Sequence, residues 1–183
     1  MSKSPERERN VLKDSSFEKS QRLISNKFFA RMRLGNRTKE ENPQDHFCVY
    51  FAAFDLRTKE VFIGYHKKSG LWLFNGGHPD KGESPVRALR REMLEEWGLI
   101  GKVEGNGGPS LRTITEVNNK GNPCKVHYDY WYFVPVDKFA FRPEKELLDK
   151  EFHTTGWKSI NEAIALIKDP NTLVALEQIQ KRF

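Results

Sequence analysis

The sequence predicts an α/β protein in which helices pack on a central mixed β-sheet. Strand-like apolar stretches alternate with helical ones over residues 44–183, the order expected when helices cover a sheet. The chain has 183 residues, enough for one domain with a hydrophobic core and a short appendage. No apolar run approaches the ~20 residues that a membrane-spanning helix needs. The first ten residues, MSKSPERERN, lack the apolar stretch of a secretory signal, so we expect a cytoplasmic protein.

Residues 1–40 are predicted to form a basic arm outside this domain. Residues 1–45 contain 11 Lys and Arg against 7 Asp and Glu, which is +4 of the net charge of +6. We expect residues 1–14 to be disordered because they are polar and charged. A helix is predicted over about residues 16–34. Such a helix either docks on the domain, which we favour, or presents a basic surface to RNA or a membrane.

Five apolar stretches of the domain predict strands. In chain order they are HFCVYFAAFDL, EVFIGYHKK, LWLFNGG, SLRTITEV and CKVHYDYWYFVPV. The last two are separated by a predicted turn, NNKGNP. Two C-terminal helices are predicted at NEAIALI and TLVALEQIQKRF. The two cysteines, Cys48 and Cys124, fall in predicted strands, and we expect both to be reduced and buried.

Residues 84–97, SPVRALRREMLEEW, form the clearest predicted helix. Ser84 suits the N-cap, Pro85 the first helical position, and Gly98 the position that ends a helix. Helical spacing predicts one buried stripe, made of Val86, Leu89, Met93 and Trp97. We therefore expect the three glutamates of EMLEE to point away from that stripe.

Three of these glutamates, Glu92, Glu95 and Glu96, have the i, i+3, i+4 spacing that places their carboxylates on one side of the helix. Like charges at this spacing repel one another by a few tenths of a kcal/mol per pair. A hard divalent cation such as Mg²⁺ prefers oxygen ligands and would remove that repulsion. Three acids on a helix are more often a solvated face, so the cluster alone does not establish a metal site.

The wider spacing decides between these two interpretations. Residues 77–99 match the pattern Gly-x5-Glu-x7-Arg-Glu-apolar-x-Glu-Glu-x-Gly-apolar at every position. The matching residues are Gly77, Glu83, Arg91, Glu92, Met93, Glu95, Glu96, Gly98 and Leu99. Seven fixed identities arise by chance about 10⁻⁸ times per starting position at ordinary residue frequencies. This pattern is the Nudix box, and the chain resembles the MutT-like Nudix hydrolase superfamily.

The resemblance implies an α/β/α sandwich around a central mixed sheet over residues 44–183. It also implies hydrolysis of a nucleoside diphosphate linked to another group, by attack of water at phosphorus. Mg²⁺ is the expected metal, with Mn²⁺ as the alternative. We expect a small nucleotide such as a (d)NTP as substrate. Many members of the family form homodimers, but no stretch of this sequence identifies an interface.

Carried over by position, Glu92, Glu95 and Glu96 resemble the metal ligands, and Gly77 contributes its carbonyl oxygen. Arg91 resembles the residue that orients the carboxylates of the box. Glu83 either is a more distant ligand or only holds the loop. A later carboxylate often serves as extra ligand or general base. The candidate here is Glu151, six residues before Trp157, with Glu144 and Glu146 as alternatives.

The sequence departs from the family pattern at Asn75, where a proline usually precedes the glycine pair. His78, directly after that pair, either contacts phosphate or is an exposed loop histidine. Phe74 and the HYDYWYF stretch either stack on a nucleobase or belong to the core, and the core is the commoner outcome. The remaining histidines show no ligand spacing and are expected to be structural: His46, His66, His127 and His153.

The subfamily is not assignable from the sequence. Two alternatives to nucleotide hydrolysis follow from the same residues. The first is removal of pyrophosphate or a cap from an RNA 5′ end, with the basic arm binding the RNA chain. The second is a non-catalytic nucleotide-binding module, which intact box carboxylates argue against.

Overall fold

The chain divides into two compact units, Met1–Gly35 and Asn36–Phe183, in a computed structural model that describes residues 5–117 and 123–183. The first unit contains helix α1, Pro5–Arg33. Residues 5–14, for which we predicted disorder, therefore belong to a helix. Proline suits the first turn of a helix, and Glu, Arg, Lys and Leu, which dominate the residues after it, are good helix formers. Residues 1–4 lie outside the described part.

The second unit begins a few residues before the predicted start of the domain at residue 44. The backbone carbonyl of Arg37 accepts a hydrogen bond from the amide of Phe47, at 2.9 Å. The carboxylate of Glu41 accepts bonds from the amides of Arg37 and Thr38, at 3.0 and 3.2 Å. These bonds order the residues just before the first strand of the sheet and tie Arg37 to that strand.

Seven strands and four helices make up the second unit as far as the structure describes it. The strands are β1 (Asp45–Asp55), β2 (Glu60–His66), β3 (Trp72–Leu73), β4 (Asn75–Gly77), β5 (Leu111–Glu116), β6 (Val126–Pro135) and β7 (Phe152–Ser159). The helices are α2 (Pro85–Trp97), α3 (Lys145–Glu151), α4 (Ile160–Leu166) and α5 (Pro170–Gln180). Residues 118–122 of the predicted turn between β5 and β6 are outside the described residues.

All seven strands join one mixed sheet. Its main order is β3-β2-β1-β6-β5, with β4 also paired to β1 and β7 to β2. Strands β1 and β6 are parallel, and the other pairs are antiparallel. The parallel pair is the centre of the sheet, and nearly every residue of β1 is buried. The predicted mixed sheet is confirmed.

Helices cover both faces of this sheet. The ring of Trp97 on α2 lies edge-on to Phe51 of β1, with the ring centroids 4.6 Å apart. The guanidinium of Arg182, just after α5, lies over the ring of Phe133 on β6. Phe51 is the register partner of Tyr132, so Phe51 and Phe133 point to opposite faces. The predicted arrangement of helices on both sides of a central sheet is therefore confirmed.

Two elements were missed by the sequence analysis. Helix α3 is short, and Leu148 is its one buried residue. Strand β7 alternates poorly and buries only Phe152. Helix α3 is too short, and β7 too polar, to show a hydrophobic periodicity in the sequence. Strand β7 forms because it pairs along most of β2. No helix in residues 5–117 and 123–183 is long and apolar enough to cross a membrane.

Candidate active site

Helix α2 carries the glutamates of the box, and its first and last residues are fixed by capping at Ser84 and Gly98. The hydroxyl of Ser84 accepts a bond from the amide of Arg87, at 3.3 Å. Gly98 ends the helix in the left-handed conformation, with φ at 71°. Leu89, Met93 and Trp97 are buried as predicted, whereas Val86 is 44% exposed. The predicted stripe is therefore confirmed except at its first residue.

The glutamates of this helix do not all point away from the core. Glu92 is 8% exposed and Glu96 is 5% exposed, and both are buried, whereas Glu95 is exposed. Helical spacing alone did not predict that two of these carboxylates are buried. The reason is that strand β4 packs beside α2 through glycines, which leave room for carboxylates where larger side chains would exclude them.

Glu96 is held by strand β4. Its carboxylate accepts hydrogen bonds from the side-chain amide of Asn75, at 2.5 Å, and from the backbone amide of Gly76, at 3.3 Å. Burial raises the pKa of Glu96 to about 8, and these two bonds oppose that shift. Asn75, the departure from the family pattern, thus supplies a donor that proline lacks.

Arg91 connects the acidic side chains around the loop. Its guanidinium donates to both carboxylate oxygens of Glu83, at 3.3 and 3.0 Å. It also donates to Glu92 and Glu95, each at 2.9 Å, and to the backbone carbonyl of His78, at 2.9 Å. Arg91 therefore fixes three carboxylates and the loop after β4 at once.

Gly77 lies against the carboxylate of Glu92. A Cβ atom built at this position would overlap that carboxylate. Burial raises the pKa of Glu92, while the charge of Arg91 lowers it. A side chain at residue 77 would thus displace a buried carboxylate that Arg91 holds in place.

We expect Gly77→Ala to lower metal-dependent activity by about 10- to 100-fold, the usual cost of disturbing a group that orients a metal ligand. The thermal unfolding temperature should change little, because the displaced group is the end of a side chain. Gly108→Ala is the matched control, since a Cβ there meets no atom within 4 Å. Equal activity of the two variants would show that the activity does not depend on the position of the Glu92 carboxylate.

A cavity of about 1170 Å³ opens beside these carboxylates. Glu92, Glu95 and Glu96 line one part of it, and Glu151 lies in the same cavity. Glu151 forms an ion pair with Lys68, at 3.0 Å, and lies 3.5 Å from Nε2 of His66. Glu144 instead contacts Gly98 at the end of α2. Of the three later carboxylates, the cavity therefore contains Glu151.

Aromatic side chains line another part of the same cavity. Tyr50 stacks on Trp131 with ring centroids 4.5 Å apart, and Phe74 lies edge-on to Trp131 at 6.2 Å. All three rings line the cavity. Phe74 is 2% exposed, so it belongs to the core as well as to the cavity wall.

His78 is not the exposed loop residue that the sequence favoured. Its ring lies 4.8 Å from that of His46 and 5.3 Å from that of His127, between centroids. Burial lowers the pKa of His78 to about 3 and that of His127 to about 4, and the neighbouring histidines add to both shifts. The thiol of Cys48 lies in the same cluster. Burial raises its pKa well above the usual range.

This cluster was not predicted from the sequence, where His46 and His127 were interpreted as structural histidines. Their ligand-like arrangement comes from strand pairing between residues about 80 positions apart, which no local spacing shows. The one local signal is the His46-x-Cys48 pair, since residues two apart on a strand share a face.

Comparisons with known proteins agree with the fold. Residues 48–176 match the family model described as the NUDIX domain. An 8-oxo-dGTP diphosphatase of Buchnera aphidicola subsp. Acyrthosiphon pisum (strain APS) is 49% identical over 47 residues. That match covers 25% of this chain and 37% of the length of the relative.

Two solved structures illustrate the likeness in fold. A NUDIX family hydrolase from Clostridium perfringens has a TM-score of 0.58 at 24% identity, covering 74% of this chain and 96% of that one. The E. coli dihydroneopterin triphosphate pyrophosphohydrolase has a TM-score of 0.59 at 17% identity, covering 72% and 92%. At these identities the likeness extends to the fold alone.

Proposed function

This chain belongs to the Nudix family of hydrolases, and from that premise we propose that it cleaves the pyrophosphate bond of a small nucleotide, such as a (d)NTP. Enzymes of this family generally use divalent metal ions, and we propose Mg²⁺ here, with Mn²⁺ as the alternative. One observation carries the proposal: a single cavity is lined by three carboxylates of the box, three lysines and an aromatic wall.

The residues present fit a hard divalent cation. Glu92, Glu95 and Glu96 bring three carboxylates to one edge of the cavity. Glu96 is buried and accepts hydrogen bonds from two neutral amides, which do not neutralise its charge. Oxygen-only donors of this charge suit Mg²⁺ better than softer metals. These three carboxylates and the carbonyl of Gly77 would hold the ion, with Glu83 held by Arg91 at the loop. The ion would supply charge stabilisation to the phosphate oxygens.

The chain's own residues divide the remaining tasks. Lys39 and Lys68 line the cavity and can bind phosphate oxygens. A nucleobase could stack on the aromatic wall of the cavity, which is formed by Tyr50, Phe74 and Trp131. Phe74 and Trp131 are buried and belong to the core as well. The name of the Buchnera relative, an 8-oxo-dGTP diphosphatase, supports a nucleoside triphosphate as substrate.

Glu151 is the proposed general base. It would take a proton from water as the water oxygen bonds to phosphorus and the P–O bond of the anhydride breaks. Its ion pair with Lys68 positions the carboxylate inside the cavity. His66 contacts the same carboxylate and limits its movement further. A general base must reach the attacking water. Glu151 lines the cavity, whereas Glu144 and Glu146 do not.

We expect Glu151→Gln to lower kcat by about 10²- to 10⁴-fold, the usual contribution of general-base catalysis, with little change in KM. The matched control is Glu146→Gln, because Glu146 is an exposed carboxylate on the same helix. Both variants should unfold at similar temperatures. Activity of Glu151→Gln within threefold of the wild type would exclude it as the base.

The function itself is tested by phosphate release from a nucleotide panel in Mg²⁺. The panel holds dNTPs including 8-oxo-dGTP, ADP-ribose, dinucleoside polyphosphates, nucleotide sugars and a 5′-triphosphorylated RNA. Each reaction is run with and without added pyrophosphatase and alkaline phosphatase. Turnover of a nucleoside triphosphate that needs added pyrophosphatase for phosphate release would support the proposal. Turnover of the RNA alone would replace it.

The remaining expectations stay predictions. They are the RNA-binding role of residues 1–40, the homodimer, and the cytoplasmic location. Salt-sensitive RNA binding that is lost on deleting residues 1–40 would support the first. Both cysteines are buried thiols and not half of a disulfide, which is compatible with a reducing compartment.

A further inference from the structure

Four potential metal ligands meet on one side of the sheet, apart from the box carboxylates. His46 and Cys48 lie two residues apart on β1, and both point to the same face. His127 on β6 is the register partner of His46, so the two imidazoles are direct neighbours across the parallel pair. His78 directly follows β4, which pairs with the other side of β1. Three chain segments far apart in sequence thus converge here.

The distances suit a common ligand. One nitrogen of each imidazole and the sulfur of Cys48 all lie within 4.8 Å of one another. The ring centroids of the three histidines are 4.8 to 5.3 Å apart. In a tetrahedral site with metal–nitrogen bonds of about 2.0–2.1 Å the ligand atoms are roughly 3.3 Å apart. Small side-chain rotations would therefore close the cluster around an ion.

Hydrogen bonding assigns the tautomer of His46 and leaves buried nitrogens of the other two histidines without a partner in the described chain. Nδ1 of His46 lies 2.8 Å from the backbone carbonyl of Asn42, which can only accept, so Nδ1 carries the proton and Nε2 is the basic nitrogen. A bond of this kind is what orients a histidine that binds a metal. Nε2 of His78 and Nε2 of His127 are buried and make no hydrogen bond within the described chain. Buried polar atoms normally have a partner, and here a metal ion would supply it.

We propose that His46, Cys48, His78 and His127 bind a transition-metal ion, Zn²⁺ in particular, at a second site distinct from the carboxylate site. Three imidazoles and one thiolate are borderline and soft donors, which favour Zn²⁺ over Mg²⁺. All four positions of a tetrahedral ion are filled by protein atoms, the arrangement of a structural site. The inference holds whether or not the proposed nucleotide substrate is correct.

The position of this site gives the ion a structural task. His78 is bonded covalently to Gly77, which lies against Glu92. The carbonyl of His78 also accepts a hydrogen bond from Arg91, at 2.9 Å. A metal ion at the cluster would thus join β1 and β6 to the loop that carries part of the proposed Mg²⁺ site. It would limit movement of that loop, and it would lie at the wall of the proposed nucleotide cavity, which Cys48, His78 and His127 also line.

The site is tested by metal binding to the full chain. Protein freed of metal with a chelator is titrated with Zn²⁺ against a competing chromogenic chelator, and the bound metal is counted by mass spectrometry. We expect one Zn²⁺ per chain, retained in excess Mg²⁺, and a rise in the unfolding temperature. Titration with Co²⁺ should give intense visible bands of a tetrahedral ion and a thiolate charge-transfer band.

Variants assign the ligands. His127→Gln and His46→Gln should each lower Zn²⁺ affinity by more than about 10-fold, and Cys48→Ser should remove the thiolate band. His153→Gln, an exposed histidine of β7, and Cys124→Ser, a second buried cysteine, are the matched controls. Circular dichroism of each metal-free variant separates loss of ligand from loss of fold. Two different ligand variants keep the test valid if one fails to fold.

Glu96→Gln distinguishes the two metal sites. We expect this variant to bind Zn²⁺ as tightly as the wild type. Zn²⁺ binding that disappears in Glu96→Gln but persists in the His46, Cys48 and His127 variants would place the ion at the carboxylates and overturn the proposal. A chain that binds no Zn²⁺ at micromolar concentration would overturn it as well.

Discussion

Replacing Glu96 by glutamine is expected to lower metal-dependent hydrolysis by about 10³-fold while leaving the fold intact. The proposed ion is worth several kcal/mol of transition-state charge stabilisation, and a neutral amide cannot replace a carboxylate ligand. Glutamine keeps the size of the side chain. Asn75 and Gly76 donate to different oxygens of Glu96, so glutamine can still accept one of these two hydrogen bonds at its single carbonyl oxygen. Initial rates on the substrate found by the panel measure the effect.

The same substitution should change how stability depends on pH. Burial raises the pKa of Glu96 from 4.5 to about 8, so the metal-free folded chain keeps a proton that the unfolded chain releases. Between these two pH values the folded state binds more protons, and the free energy of unfolding falls as pH rises. Glu96→Gln removes this contribution. Asp129, whose pKa burial raises to about 7, contributes in both proteins and cancels in the comparison.

Binding of Mg²⁺ should therefore be linked to deprotonation of Glu96. We expect the rise in unfolding temperature at a fixed Mg²⁺ concentration to grow between about pH 6 and pH 8 in the wild type. The variant should show a much smaller rise, nearly independent of pH. Thermal unfolding of both proteins at three pH values, with Mg²⁺ and with EDTA, measures this. Full activity of Glu96→Gln would show that the metal site is assigned to the wrong residues.

Replacing Arg91 by alanine is expected to damage both stability and activity. Its side chain is a quarter exposed and pairs with Glu83, Glu92 and Glu95. Losing the positive charge beside the partly buried carboxylates of Glu83 and Glu92 costs roughly 2–3 kcal/mol. This is less than for a fully buried pair, because Glu95 is exposed to solvent and Glu83 keeps the hydrogen bond from the amide of Asp80. For a chain of this size, that corresponds to a fall of about 5–10 °C in Tm.

Activity of Arg91→Ala should fall by about 10²-fold, because Glu92 and the loop at His78 lose the group that orients them. Arg91→Lys should recover part of the stability but less of the activity. Lysine keeps the charge and loses the planar arrangement of donors that reaches several acceptors at once. Arg90→Ala, an exposed neighbour on the same helix, is the control and should behave as the wild type. A loss of stability with unchanged kcat would limit Arg91 to a structural role.

Several features of this protein follow from short stretches of sequence. The ends of helix α2 were predicted from Ser84, Pro85 and Gly98, because capping depends on neighbouring residues along the chain. The family followed from the 23-residue box, since its spacing is local. The strands β1, β2, β5 and β6 were predicted from their apolar stretches, with ends that differ by one or two residues.

Other features depend on contacts between distant parts of the chain. Strand β7 exists because β2 offers it a partner, and its own sequence carries little period. Glu92 and Glu96 are buried because the glycines of β4 lie beside α2, which the period of the helix alone does not show. The position of Glu151 in the cavity required helix α3, which the sequence analysis did not detect.

The two proposed metal sites show the same division. Glu92, Glu95 and Glu96 belong to one helical turn, so the sequence by itself determined that their carboxylates are neighbours. His46 and His127 are neighbours only because β1 and β6 pair in parallel in one particular register. Strand register is set by packing of the whole sheet and not by local residues. The tertiary structure alone therefore decided that three histidines and a cysteine meet.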